Sequence, residues 1–147
     1  MMLDKNQIGH EFHPFTVEIE KGRLRFFAKA IGEENPIYVN EDAALAAGYP
    51  ALPAPPTFMF SIDLDGPEQL PVVDLLGLDL GRILHGSQEF EYLGQIHAGD
   101  RITQTSRIED IFEKKGGALE FIVQESRYTN QNGELVGKAR QTLVYRN

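Results

Sequence analysis

The chain reads as an α+β domain, and three observations predict that class. Its first half carries apolar residues at helical spacing. Its second half alternates with a period of two from Arg82 onward. Two pairs, Gly116-Gly117 and Asn132-Gly133, separate the alternating runs, and their residue types tolerate the positive backbone dihedrals of hairpin turns.

Taken in order, Leu24, Phe27, Ala28 and Ile31 fall at i, i+3, i+4 and i+7 and predict one apolar helical stripe, ended by Gly32. Asn40 is an N-cap for a short helix over residues 41–47, stopped by Gly48. Pro50, Pro53, Pro55 and Pro56 predict an extended approach, and Pro56 suits the first turn of a buried helix over residues 57–64. Residues 67–79 read as an irregular crossing, a flap over a pocket. Beyond it, strands over residues 102–114, 118–129 and 134–145 make an antiparallel meander. Leu135, Gly137, Ala139, Gln141, Leu143 and Tyr145 share one face of the last of these.

At 147 residues the length predicts one domain, residues 1–147, with a real core and no room for two catalytic units. With no cysteine, the chain has no disulfide framework, thiolate nucleophile or sulfur-rich metal site, which fits a reducing cytoplasm. Residues 1–11 lack the hydrophobic core of a signal peptide, and no run reaches membrane-spanning length. A net charge of -8 opposes binding to nucleic acid, which is driven by cations neutralising phosphates. Arg82, Arg101, Arg107, Lys138 and Arg140 are candidates for a local phosphate-binding patch. The plainer reading, solvent-facing strand residues, is preferred. His10, His13, His85 and His97 form no metal-ligand spacing, so neither metal nor cofactor is expected.

The segment Gly32-Glu33-Glu34-Asn35-Pro36-Ile37-Tyr38 carries the most specific signal. It resembles the Gly-Asp-x-Asn-Pro-x-His motif of the MaoC-like, (R)-specific enoyl-thioester hydratases and dehydratases, with Gly32, Asn35 and Pro36 matching, Glu33 in place of the aspartate and Tyr38 in place of the histidine. Residues 26–31 resemble the helix leading into that motif, 43–49 the Ala-rich helix after it, 84–90 the first long strand, and 98–100 the following turn. The resemblance covers nearly the whole chain. It is closest to the FAS1-like dehydratase branch, in which one subunit of a heterodimer carries the Asp/His pair and the other, with a degenerate motif, houses the acyl chain. It implies a hot-dog fold, an antiparallel sheet wrapped around a central helix.

Adding water across an enoyl thioester needs a base for the water, an acid for the α-carbon, and donors for the oxyanion on the thioester carbonyl. Glu33 keeps a carboxylate one methylene longer. Tyr38, with a reference pKa of about 10 against about 6.5 for histidine, is a poor proton acceptor at neutral pH. Aligned without gaps, Pro56 falls where the family has the glycine whose amide completes the oxyanion hole, and proline has no N–H. A shift of one residue gives that role to Thr57. His85, beside Gly86 on a strand flanking the expected tunnel, is the remaining candidate acid–base group, though a strand histidine satisfied by a neighbour is the plainer account. Phe58, Met59, Phe60 and Ile62, with Leu75, Leu76, Leu78 and Leu80, are candidates to line an acyl tunnel; core packing explains the helix residues equally well.

The resemblance therefore implies a subunit of an (R)-specific 3-hydroxyacyl-thioester dehydratase or enoyl-thioester hydratase. It would bind a coenzyme A or acyl-carrier-protein thioester as the acyl-binding partner of a MaoC-like catalytic subunit. Two alternatives stay open: a homodimeric hydratase using Glu33 with Tyr38 or His85, and a non-catalytic acyl-thioester-binding module. Whether the chain is an enzyme alone is left open by the sequence.

Overall fold

In the structure, a computed structural model, residues 1–68 and 70–147 are described. Five strands, β1 (Phe15–Glu18), β2 (Ile83–Tyr92), β3 (Arg101–Lys114), β4 (Leu119–Thr129) and β5 (Leu135–Arg146), form one antiparallel sheet in the order β1-β3-β4-β5-β2. Four helices precede or interrupt it: α1 (Lys21–Ala30), α2 (Glu41–Ala46), α3 (Phe58–Asp63) and α4 (Pro71–Leu76). The expected meander is β3-β4-β5, and its turns use Gly116, Gly117 and Gly133 at positive φ.

Helix α1 buries Leu24 and Ala28 completely, as its stripe requires. Ile31 departs from that reading. Glu33 N–H bonds back to Ala28 O while Gly32 takes φ +72°, so the helix has already closed and Ile31 is left exposed. Asn40 caps α2, its Oδ1 accepting from Ala43 N–H at 2.9 Å. Pro56 lies in the turn before α3 rather than in its first helical position, since Thr57 is the N-cap and Phe58 N–H donates to Pro55 O.

The crossing over residues 67–79, of which Gln69 lies outside the described residues, is not wholly irregular. Pro71 starts α4, whose first-turn N–H groups have no intrahelical acceptor and so lose nothing to proline, and Gly77 ends it in the left-handed region at φ +63°. Its apolar side chains account for the leucine-rich composition: Val72 and Leu78 are buried, and Leu75 and Leu76 pack against them.

Helix α3 lies against the inner face of the sheet. Phe58, Met59 and Ile62 are buried with Leu24, Ile102 and Tyr128 in one core cluster. A second cluster joins α4 to Leu3, Ile108, Ile122, Leu143 and Tyr145. Between them, the inner face of each long strand turns polar: Gln104 and Ser106 lie between Ile102 and Ile108, Gln124 and Ser126 between Ile122 and Tyr128, and Gln141 between Ala139 and Leu143. The N-terminal segment runs along the edge of β3 in line with β1. Gly9 N–H donates to Ile108 O, Ile108 N–H to His10 O, and Phe12 N–H to Ser106 O. Leu3 N–H bonds the buried Glu120 carboxylate at 2.7 Å.

Helix α3 approaches the sheet closely at Gly137. A Cβ there would sit 2.5 Å from Met59 Sδ and 3.3 Å from Glu91 O. Gly137→Val is expected to cost about 1–3 kcal/mol by overpacking and to lower the melting temperature by roughly 3–10 °C in thermal denaturation. Gly22→Ala, in α1 with open space around its Cβ position, should shift the melting point the opposite way.

Candidate functional site

The degenerate motif is organised by its own short-range hydrogen bonds. Glu33 Oε1 accepts from Asn35 N–H at 3.0 Å, and Asn35 Oδ1 accepts from Ile37 N–H at 3.2 Å, capping a 3-10 turn over Pro36–Tyr38. Asn35 and one Glu33 oxygen are thus engaged in holding the loop. Arg25 fixes its far end, donating to Val39 O at 3.0 Å. Partial burial pushes the Tyr38 phenol above its ordinary value, and the negative charge of Glu33 and the neighbouring Tyr49 push it further. Tyr38 therefore keeps its proton at neutral pH and is not a base there.

At the start of α3, Pro56 has no N–H, Phe58 N–H is engaged by Pro55 O, and Thr57 is exposed. The Phe58 ring does not reach a tunnel. It is buried edge-on against Phe27, with ring centroids 5.3 Å apart and the Arg23 guanidinium over its face.

The large concavity lies elsewhere. A cavity of about 840 Å³ opens between α3, α4 and the inner face of the sheet, roofed by His10–Phe15 of the N-terminal segment. That volume is within the ~300–1,000 Å³ typical of small-molecule sites. Phe60, Leu75 and His85 are the expected residues that line it, the Phe60 and His85 rings 5.5 Å apart. His85 Nε2 lies 3.0 Å from Gln88 Oε1, so the ring has the neighbouring partner that the plainer account supposed.

Leu76 and Leu78 correct the expectation: they pack into the second core cluster, and of the loop leucines singled out it is Leu75 that reaches the cavity. Gly86 has a packing reason, because a Cβ there would lie 2.9 Å from Val144 Cγ2 and 3.1 Å from Thr142 O at the β-bulge between His85 and Ser87. Glu33, Asn35, Tyr38, Pro56 and Thr57 do not line the cavity, so within one chain the motif and His85 are not brought to a common cavity wall.

The cavity floor was missed by sequence reasoning. Asp63 Oδ1 accepts from Gln104 Nε2 at 2.9 Å and from Tyr128 OH at 2.7 Å, and Gln141 Nε2 donates to Gln124 Oε1 at 2.8 Å. Burial raises the Asp63 carboxyl above its usual range, although its hydrogen bonds to Gln104, Tyr128 and Ser126 pull the other way. Burial also pushes Tyr128 strongly up, reinforced by Asp63. The signal for this floor was the run of polar residues at inward strand positions. Of the basic candidates, Arg140 is paired with Glu109 and Glu89, and Arg82 with Asp79.

An antiparallel sheet packed on a helix, with a cavity of about 840 Å³ beside it and a hydratase-like motif at the end of α1, defines the hot-dog class of hydratases and dehydratases. The chain belongs to the FAS1-like dehydratase domain region family, whose model matches residues 6–139. It is 40% identical over 147 residues to a UPF0336 protein of Streptomyces coelicolor, covering 99% of this chain and 97% of the relative. It is similar to the C-terminally truncated HadBC (3R-hydroxyacyl-ACP dehydratase) complex of Mycobacterium tuberculosis, with TM-score 0.81 and 29% identity over 94% of this chain and 96% of that one. A MaoC-like dehydratase superposes with TM-score 0.85 at 22% identity, over 96% of this chain and 42% of the other, and so shares the fold. Among the described residues no helix is long and apolar enough to cross a membrane.

Asp63 gives a pH test. Its folded-state pKa is raised, so its stabilising contribution is fully present below the ordinary aspartate value of about 4 and is lost as pH rises through the folded value. Asp63→Asn keeps the carbonyl that accepts both hydrogen bonds and removes the titration. Calorimetry should find the variant gaining melting temperature relative to wild type from about pH 4 to pH 7; a difference constant across that range would show an unshifted carboxyl.

Proposed function

We propose that residues 1–147 form a single hot-dog unit that acts as the acyl-chain-binding subunit of an (R)-specific 3-hydroxyacyl-thioester dehydratase or enoyl-thioester hydratase. The Asp/His pair comes from a MaoC-like partner subunit. The observation that carries this reading is the separation within one chain of a large cavity from a motif whose Tyr38 holds its proton. The HadBC complex, itself a dehydratase by its description, supports a two-subunit arrangement.

The division of labour follows from the chemistry. Water addition or removal at the α,β-bond needs one group that takes a proton at neutral pH and one that returns it. Tyr38 cannot take one, and Pro56 cannot donate to an oxyanion. The chain contributes instead an enclosure that holds the acyl part of a coenzyme A or acyl-carrier-protein thioester and keeps water from it. Binding energy from that remote part is what fixes the reacting carbons against the partner's acid–base pair.

Strand β2 has a paired side toward β5 and an open side, with Leu84 and Tyr92 exposed along it. An open edge of ten residues invites continuation of the sheet into a second hot-dog unit. The protein is accordingly expected to sediment as a dimer at micromolar concentration, alone or with its partner. A monomer under both conditions would contradict the subunit reading.

The activity test is direct. The isolated protein should hydrate crotonyl or longer enoyl thioesters about 10²–10⁴-fold more slowly than a reconstituted pair with an Asp/His-bearing subunit, the range that acid–base assistance supplies. Glu33→Ala should then change the pair's rate little. Robust turnover by the isolated protein, lost in Glu33→Ala or His85→Ala, would establish the homodimeric enzyme instead. Acyl-thioester binding without turnover in any pair would leave a binding module.

A further inference from the structure

The cavity is not built like a channel for plain hydrocarbon. Along its floor the apolar inner face gives way to polar side chains, Gln104, Ser106, Gln124, Ser126 and Gln141, with Gln104 bonded to Asp63 of α3 and Gln141 to Gln124. The strands return to isoleucine, tyrosine, alanine or leucine on either side of this band, so the packing itself does not call for amides within it. A buried amide is tolerated only when its donors and acceptors find partners, and a purely alkyl occupant offers none.

The amides are also aligned. Gln88 of β2 stands opposite Gln141 of β5, and Gln141 opposite Gln124 of β4, so three glutamines form one row across three adjacent strands. Their hydrogen bonds leave part of their capacity over. Gln141 gives its amide to the Gln124 carbonyl, which leaves the Gln141 carbonyl and the Gln124 N–H groups. Gln88 Oε1 is engaged by His85, and among the described residues the buried Gln88 Nε2 has no acceptor. Donors and acceptors of Gln124 and Gln141 thus remain on the wall of a cavity that Phe60, Leu75, Leu143 and Val72 help make apolar and that also carries Ser106, Ser126 and His85; Gln88 is not among its lining residues. That is the lining for a long apolar ligand with an oxygen part-way along it.

We infer that the cavity selects acyl thioesters whose chain carries a hydroxyl, keto or ether oxygen, hydrogen-bonded by Gln124 and Gln141, over the plain alkyl chain of the same length. This rests on the acyl-binding role proposed above. Asp63 of α3 borders the same cavity, its Oδ1 already accepting from Gln104 and Tyr128.

The test is calorimetric titration of the full chain with palmitoyl coenzyme A and with its hydroxy and keto counterparts bearing the oxygen at successive mid-chain positions. At least one position should bind about tenfold tighter than palmitoyl, because a site with amides placed for an oxygen is left with unpaired groups when the oxygen is missing. Replacing both partners of the pair, Gln124→Leu with Gln141→Leu, should reverse the order, weakening the oxygenated ligand and tightening the plain one. Gln141→Met alone should cut the preference severalfold and serves if the double variant does not fold. If wild type binds no oxygenated chain more tightly than palmitoyl, or if the folded variants keep the full preference, the inference is overturned. If wild type binds none of these thioesters, the acyl-binding role falls and the inference with it, whereas equal binding of all of them overturns the inference alone.

Discussion

Met59 of α3 meets the sheet at Gly137, where the missing side chain lets a thioether lie directly over the strand backbone. Most of the remaining architecture depends on that approach. With α3 seated there, Phe58 and Ile62 reach the cluster around Leu24 and Tyr128, while Phe60, on the opposite side of the same short helix, is turned toward the cavity. A bulkier residue at 137 would lift the helix from the sheet and disturb both faces at once. Methionine is well suited to this contact, since its unbranched, polarizable side chain adapts to an irregular surface.

The cavity exists because the two core clusters do not merge. A continuous apolar face along β3, β4 and β5 would bring α3 and α4 together over it, driven by about 25 cal/mol for each Å² of apolar surface removed from water. The polar residues in the middle of each strand remove that gain locally. They form hydrogen bonds among themselves and to Asp63 instead, which keeps the floor rigid and the volume above it open.

The fold was legible where the signal was local. The Asn40 cap and the glycine turns between β3, β4 and β5 follow from short-range rules and are found where those rules place them, and the stripe of α1 holds at Leu24 and Ala28 though not at Ile31, past the helix end. Helix α4 escaped because six residues are too few to show a periodicity; of its leucines, read as the cover of a pocket, Leu75 lines the cavity while Leu76 packs against the core. The site was legible only as a motif. That the motif would lie away from the cavity wall, and that the N-terminal histidines and Phe12 would roof it, depends on contacts between residues distant in sequence. The polar floor did leave a trace, Gln141 among the apolar inward positions of β5 and the Gln124-x-Ser126 pair in β4, but a polar residue on an apolar face gains meaning only beside its neighbours on other strands.

The roof has a further consequence for kinetics. Strands β3, β4 and β5 close through tight turns, whereas the N-terminal segment reaches β3 across a long separation in sequence, as the Thr16 and Thr103 hydroxyls 87 residues apart illustrate. Its closure carries more loop entropy and fewer backbone bonds than the hairpins it rests on. It is therefore the last part to dock and the first to open in native-state fluctuations. In the proposed acyl-binding role, exchange of the ligand with solvent would follow the opening of that strap while the sheet stays folded.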